Sequence, residues 1–313
     1  MIEVNALSRH YGDFKAVDQI SFAIEQGEVV GLLGHNGAGK TTIMKMVTGY
    51  LEPTSGTIRV GDLEVGKQTA AIQKRIGYLP ENCPLWPDMT VIDYLEYQAT
   101  LHGISTSALQ KTVARAIGRT ALDEKADQLI GTLSRGYRQR VGVAQAILHD
   151  PDIIILDEPT NGLDPVQITQ MRKLIRELAE NATVILSTHI LQEVQAVCDR
   201  VLIMRGGQIA VDSQLKALQT GQHLTVTVNN PSAASYLSKI AGITEPIGEP
   251  VEEKEQFQYT VQASDDLAPV IAQAVIEAGD KLYGLQPETQ TLETVFARVN
   301  AAETFVTKEA AHA

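Results

Sequence analysis

Residues 28–42, EVVGLLGHNGAGKTT, decide the fold. An apolar run that reads as a buried strand ends at Gly34, and a helix begins near Gly39. Glycines 34, 37 and 39 let the backbone curl so that its N–H groups face phosphate oxygens. Lys40 adds the positive charge, and Thr41 places a hydroxyl where Mg²⁺ binds in a phosphate loop. A glycine-rich turn beside a solvated lysine is the alternative. The strand, loop and helix in that order favour the phosphate loop.

Residues 153–165, IIILDEPTNGLDP, supply the partner to this loop. A carboxylate at the end of four apolar residues is costly to bury, so Asp157 is expected to be ionised and compensated by a hydrated Mg²⁺. If the chain stays extended, Glu158 leaves it on the opposite side, free to orient or deprotonate a water molecule. Helix capping is the competing role for the pair. His189 follows TVILST, another core-strand pattern, and ligands of parallel sheets gather at the carboxyl ends of strands. It is expected near the same phosphates as Lys40 and Asp157, whereas His10, His102, His149 and His223 read as packing histidines.

Composition bounds the rest. The 313 residues carry a net charge of −12 and 44% apolar residues, enough for a buried core but giving no general attraction to nucleic acid or an anionic membrane. Cys83 and Cys198 are the two cysteines, too far apart in sequence for a zinc motif, which fits a reducing compartment. The start MIEVNALSRHYGD shows no leader pattern, and VVGLLG and IIILD are too short to span a bilayer.

Strand patterns at 2–7, 20–24, 28–33, 57–60 and 75–79 precede helical ones at 90–102, 107–118 and 136–149. A strand at 153–156, a helix at 166–179, a strand at 183–187, a helix at 191–198 and the paired strands VLIM and QIAV follow. The fold class is α/β, a P-loop NTPase core with an antiparallel β subdomain and a helical insert over about 82–150. After residue 220 the pattern resets to strand, helix, strand, helix and strand, a small α+β domain of roughly ferredoxin-like type over 221–313. Its closing segment TLETVFARV reads as a helix with Leu292, Val295 and Phe296 on one side. Net charge is −4 for residues 1–220 and −8 for 221–313.

Residues 1 to about 220 resemble the nucleotide-binding subunit of an ABC transporter. The segments that carry the resemblance, in order, are GHNGAGKTT, GYLPEN, LSRGYRQR, IIILDEPT, NGLD and His189. The resemblance implies ATP and Mg²⁺ as ligands. Gly34, Asn36, Gly37, Ala38, Gly39, Lys40, Thr41 and Thr42 would form the phosphate-binding loop, Tyr11 would stack on adenine, and Thr41, Asp157 and Glu81 would surround the metal. Glu158 and His189 would be catalytic. Family members usually carry glutamine at the position of Glu81, glycine at Arg135 and glutamine at Tyr137. The family also pairs two such domains head to tail, so Ser134 and Gly136 of one copy would face the ATP of the other, with Asn161 and Asp164 communicating across the dimer.

Within the family the chain looks most like the ATPases of ABC-2 type exporters, the drug, polysaccharide and gliding-motility group. That implies a separate multi-span permease, a peripheral position on the cytoplasmic face of the membrane, and no nucleic-acid partner. Leu85, Trp86 and Met89 are either an apolar patch for the permease or core packing. The alternative function is an ATP-binding regulatory or non-transport ABC protein without a dedicated permease. The 221–313 domain reads as regulatory or dimer-stabilising.

Overall fold

The structure is a computed structural model and describes residues 1–219, 223–243, 251–253, 256–263, 265–288, 291–297 and 299–300. Its elements, in chain order, begin with β1 (Ile2–Tyr11), β2 (Phe14–Ile24), β3 (Val29–Leu33), α1 (Lys40–Val47), β4 (Ser55–Val60), β5 (Leu63–Glu64), α2 (Thr69–Gln73) and β6 (Ile76–Leu79). Then come α3 (Val91–Leu101), α4 (Thr106–Arg119), α5 (Arg135–Ile147), β7 (Ile153–Asp157), α6 (Pro165–Ala179), β8 (Thr183–Thr188), α7 (Leu191–Val197), β9 (Arg200–Arg205) and β10 (Gln208–Gln214). The remainder is α8 (Leu215–Gln219), β11 (His223–Val228), α9 (Ala234–Leu237), β12 (Val251–Glu253), β13 (Gln256–Gln262), α10 (Ala268–Glu277) and β14 (Leu282–Glu288).

Two compact units divide the chain, Met1–Gln214 and Leu215–Ala313, where the sequence reading placed the division after residue 220. The first contains a six-stranded sheet in the order β10-β9-β3-β8-β7-β6. Strands β6, β7, β8, β3 and β9 run parallel, and β10 closes the edge antiparallel. Every residue of β3, β7 and β8 is buried, the signature of a parallel sheet covered on both faces. Alternate residues serve opposite cores. Ile154, Leu156, Val184 and Leu186 join one apolar cluster with Tyr94, Leu95, Val143 and Leu174 of the helices. Ile153, Ile155, Ile185, Val30 and Leu32 join the other, with Ile43 and Met44 of α1 and the inner face of a second sheet, β2-β1-β4-β5.

Periodicity placed the helices of the insert within a residue or two of α3, α4 and α5. The β1–β2 hairpin is longer than expected. Its register shifts between Val4 and Arg9, and Ala6 and Gln19 adopt positive φ, so bulges put Leu7 and Ser8 side by side in the interior and erase the strict alternation. The short β5 and α2 carry too few residues for a periodic signal. Leu85 and Met89 pack against the larger core, whereas Trp86 stays 48% exposed with its ring 4.9 Å from that of Tyr97. His102 and His149 stack on each other at 4.1 Å, and His149 Nε2 lies 3.2 Å from the Ile76 carbonyl.

After α8, the second unit follows the order β11-α9-β12-β13-α10-β14 and forms one antiparallel sheet, β12-β13-β11-β14. This is the split βαβ arrangement of a ferredoxin-like domain. Leu224, Val226 and Val228 alternate inward with Tyr259 and Val261 against Leu237, Ile271 and Val275. Asp280 ties the end of α10 to the first connection by accepting from Asn230 Nδ2 (2.9 Å) and the Tyr236 hydroxyl (2.8 Å). The helix expected across AASYLSKIAG is only the four residues of α9, and EPIGEP lies outside the described residues. Residues 292–297 are helical, with Leu292 and Val295 buried and Phe296 half-buried.

The edge strand β6 packs closely against the insert at Gly77. A Cβ at Gly77 would enter the van der Waals shell of the Ala146 carbonyl in α5 and come within 2.9 Å of Pro151. Gly77→Ala is therefore expected to destabilise the first unit by about 1–3 kcal/mol, the cost of overpacking, with urea unfolding as the measurement.

Candidate functional site

The loop between β3 and α1 depends on its glycines. Gly37 (φ 86°) and Gly39 (φ 106°) occupy the left-handed region, and a Cβ on Gly34 would approach the Met204 carbonyl to 2.8 Å. Helix α1 has no side-chain cap and no acidic residue in its first turn, so its positive end is left for an anion. Lys40 folds back over the loop. Its buried Nζ donates to the carbonyls of Gly34 (2.6 Å) and His35 (3.3 Å) and lies 4.0 Å from Glu158 Oε1. Burial holds the Lys40 pKa below the usual lysine range, against the opposing pull of Glu158, Asp157 and Glu81.

The sheet order places β7 one strand away from β3, with β8 between them. Asp157, at the end of β7, is fully buried and accepts a hydrogen bond from Thr41 Oγ1 (2.9 Å) through Oδ2. Its Oδ1 is buried with no protein partner among the described residues. Glu158 is not extended. Its backbone turns left-handed (φ 51°), its N–H donates to the Ser187 carbonyl (2.9 Å), and this turn, rather than strand alternation, separates its side chain from that of Asp157. Such a conformation costs a non-glycine residue about 1–2 kcal/mol and clusters at functional sites.

His189 follows the last residue of β8 and brings Nδ1 to 2.9 and 3.0 Å from the two carboxylate oxygens of Glu158. With Glu158 ionised, Nδ1–H is the donor. Burial raises the Glu158 pKa above the usual carboxylate range, while His189 and Lys40 pull it down. A buried carboxylate with a raised pKa and an oriented neighbour has the properties of a general base.

Tyr11 and Glu81 reach the same region by a different route. Both line an open cavity of about 630 Å³ together with Thr41, Lys45 and Tyr50. The ring of Tyr11 is 48% exposed, and the Arg9 guanidinium lies 4.7 Å from its centroid. Glu81 is exposed just past the proline that ends β6.

Ser134 and Gly136 share no hydrogen bond with the phosphate loop and do not line that cavity. They lie at the start of α5, Ser134 exposed and Gly136 buried. Ser134 caps the helix by accepting from the Tyr137 N–H (3.4 Å), and a Cβ on Gly136 would overlap the Gln167 amide of α6. In return, the Arg135 side chain occupies the space over Gly162, within 2.7–2.8 Å of where a Cβ would stand. Gln167 is a residue the sequence reading missed. Its signal was present in the Asp164-x-x-Gln167 spacing, which forms a capping box with Asp164 accepting from Gln167 N–H (2.9 Å) and Gln167 from Asp164 N–H (3.3 Å).

The ABC transporter family profile matches residues 17–161. The uncharacterized ABC transporter ATP-binding protein YxlF of Bacillus subtilis is 33% identical across 96% of this chain and 99% of its own length. This chain belongs to the ABC transporter ATP-binding subunits. The Nod factor export ATP-binding protein I of Burkholderia orbicola is 36% identical over 69% of this chain and 72% of its own. A solved ATP-binding subunit of an ABC transporter superposes on 70% of this chain and 92% of its own at a TM-score of 0.64 and 28% identity. As a member of this family, the subunit is an ATPase coupled to transport.

Membership also implies ATP with Mg²⁺, and the residues present fit both. Thr41 Oγ1 and the unpartnered Asp157 Oδ1 are hard oxygen donors of the kind Mg²⁺ takes beside water and phosphate. Among the described residues no helix is long and apolar enough to cross a membrane.

The fit between α5 and α6 in this ABC subunit is open to a double-mutant cycle. Gly136→Ala should displace Gln167 and cost about 1–2 kcal/mol, and adding Gln167→Ala should recover part of that loss. Chemical denaturation of the four proteins in the cycle measures the coupling.

Proposed function

We propose that this ABC subunit hydrolyses ATP with Glu158 as the general base and powers an ABC-2 type exporter through ATP-driven closure of two copies. The observation that carries the catalytic part is the cluster in which the buried Glu158 lies 4.0 Å from the buried Lys40 and 2.9 Å from the half-exposed His189. The first-turn amides of α1 and Lys40 bind the terminal phosphates. Glu158 accepts a proton from the water that attacks the γ-phosphorus, the bond to the ADP oxygen breaks, and inorganic phosphate leaves. His189 holds the carboxylate in place. Thr41 and Asp157 would hold Mg²⁺, which would supply charge neutralisation at the phosphates.

Tyr11 provides a ring face for adenine at the cavity mouth, and Arg9 supports the ring. Glu81 lines the same cavity and relays the nucleotide state to the permease. The start of α5 at the exposed Ser134 serves the ATP of a second copy, which accounts for its lying apart from the phosphate loop in one chain. Export is supported by the similarity to the Nod factor export ATP-binding protein. The exposed Trp86–Tyr97 pair on the insert is the apolar contact for the permease, placing the subunit on the cytoplasmic face of the membrane. The acidic second unit is assigned to regulation or dimer stability.

Glu158→Gln should lower the ATPase rate by about 10²–10⁴-fold, the range of general-base catalysis, while ATP binding measured by calorimetry is retained and ATP-dependent dimers accumulate in sedimentation. Turnover comparable to the unsubstituted protein would remove Glu158 from the base role. The pH profile gives an independent sign. The active form is ionised Glu158, so activity falls as pH drops through its raised pKa. His189→Ala removes a neighbour that lowers that pKa, and the acid limb of the residual kcat profile should therefore move to higher pH.

A further inference from the structure

A second buried carboxylate lies behind the site. Glu193, in α7, is 1% exposed, and its Oε2 accepts from Thr188 Oγ1 at 3.0 Å. The Thr188 hydroxyl in turn accepts from the Ile190 N–H (3.1 Å), and the Glu193 N–H donates to the Ile190 carbonyl (3.1 Å). These three bonds close a ring around the residues on either side of His189. The ring is anchored to the sheet, because Thr188 is the last residue of β8 and pairs with Leu33 at the end of β3. His189 itself is 46% exposed, and a half-exposed imidazole is not held by packing.

We infer that Glu193 is a positioning residue for hydrolysis, fixing through Thr188 the turn that points His189 at Glu158. This rests on the reading that the Glu158–His189 pair carries the reaction. Burying a carboxylate is costly, and Glu193 Oε1 has no protein partner among the described residues. A residue whose only task was to fill the space beside Val194 would be better served by an apolar side chain. The hydrogen-bonded ring gives the carboxylate a reason to be there.

The experiment compares Glu193→Ala, Glu193→Gln and Thr188→Val, alone and with His189→Ala, in the full chain. Steady-state kcat and KM for ATP are measured together with calorimetric ATP affinity and thermal melting. Glu193→Ala should lower kcat by about 10- to 50-fold, within the loss expected from misplacing a catalytic group by an ångström, with KM and ATP affinity changed by less than about twofold. Glu193→Gln keeps an oxygen that accepts from Thr188 and should restore most of the rate. Thr188→Val removes the same bond from the other side and should match Glu193→Ala, deciding the matter if the alanine variant does not fold. On the His189→Ala background, Glu193→Ala should add less than about a twofold loss, since residues acting as one unit are not additive.

Unchanged kcat in Glu193→Ala, an undiminished loss on the His189→Ala background, or equal loss in Glu193→Gln and Glu193→Ala would each overturn the inference. A His189→Ala protein that turns over normally would instead overturn the reading on which it rests.

Discussion

The hydrogen bond from Thr41 to Asp157 joins residues 116 positions apart, and the rest of the site depends on the geometry that permits it. Thr41 is in the first turn of the helix after β3, and Asp157 ends β7. They meet because β3, β8 and β7 are parallel neighbours, so all three strands deliver their carboxyl ends to one edge. An antiparallel strand at the position of β8 would send His189 to the far side of the molecule. The fully buried β3, β7 and β8 are therefore also what gathers Lys40, Asp157, Glu158 and His189.

That edge holds charge that the interior penalises. Lys40 and Glu158 are each shifted toward their neutral forms by burial, and each is the other's compensating charge at 4.0 Å. Neither is satisfied by the other alone. Lys40 leans on two loop carbonyls, and Glu158 on His189, so both are held short of a direct contact. A polyphosphate entering here would meet a lysine already desolvated and a carboxylate already oriented, which is the preorganisation that makes electrostatic catalysis effective.

The sequence was most readable where chemistry depends on a short contiguous stretch. EVVGLLGHNGAGK announces a strand, a left-handed loop and a helix, and IIILDE and TVILSTH each place polar residues at the end of a buried strand. The alternation in HLTVTV and EQFQYTVQ likewise foretold the second unit. What escaped depends on contacts between distant segments or on one dihedral. The left-handed turn at Glu158 follows from its bond to Ser187 on β8, which the local sequence does not encode. The Thr188–Glu193 bond had no periodic signal, since α7 is only seven residues long. Bulges hid half of the first hairpin because they break the rule by which strands are read.

The chain's departures from the family pattern near the start of α5 acquire a physical meaning in this light. Tyr137 stands where glutamine is usual, and its ring is flanked by Lys125 at 5.4 Å and Arg140 at 5.8 Å, both within cation–π range. Arg135, where glycine is usual, lies over Gly162 in the loop after β7, while Gln167 of α6 fills the space over Gly136. Each substituted side chain is thus taken up by a partner within the same copy. At the helix start Ser134 stays exposed, while Gly136 is buried beneath the Gln167 amide. Of the two, Arg135 adds a contact between the start of α5 and the loop carrying Asn161 and Asp164. Glu158 begins that same loop, so the contact ties the start of α5 to the segment that carries the proposed base.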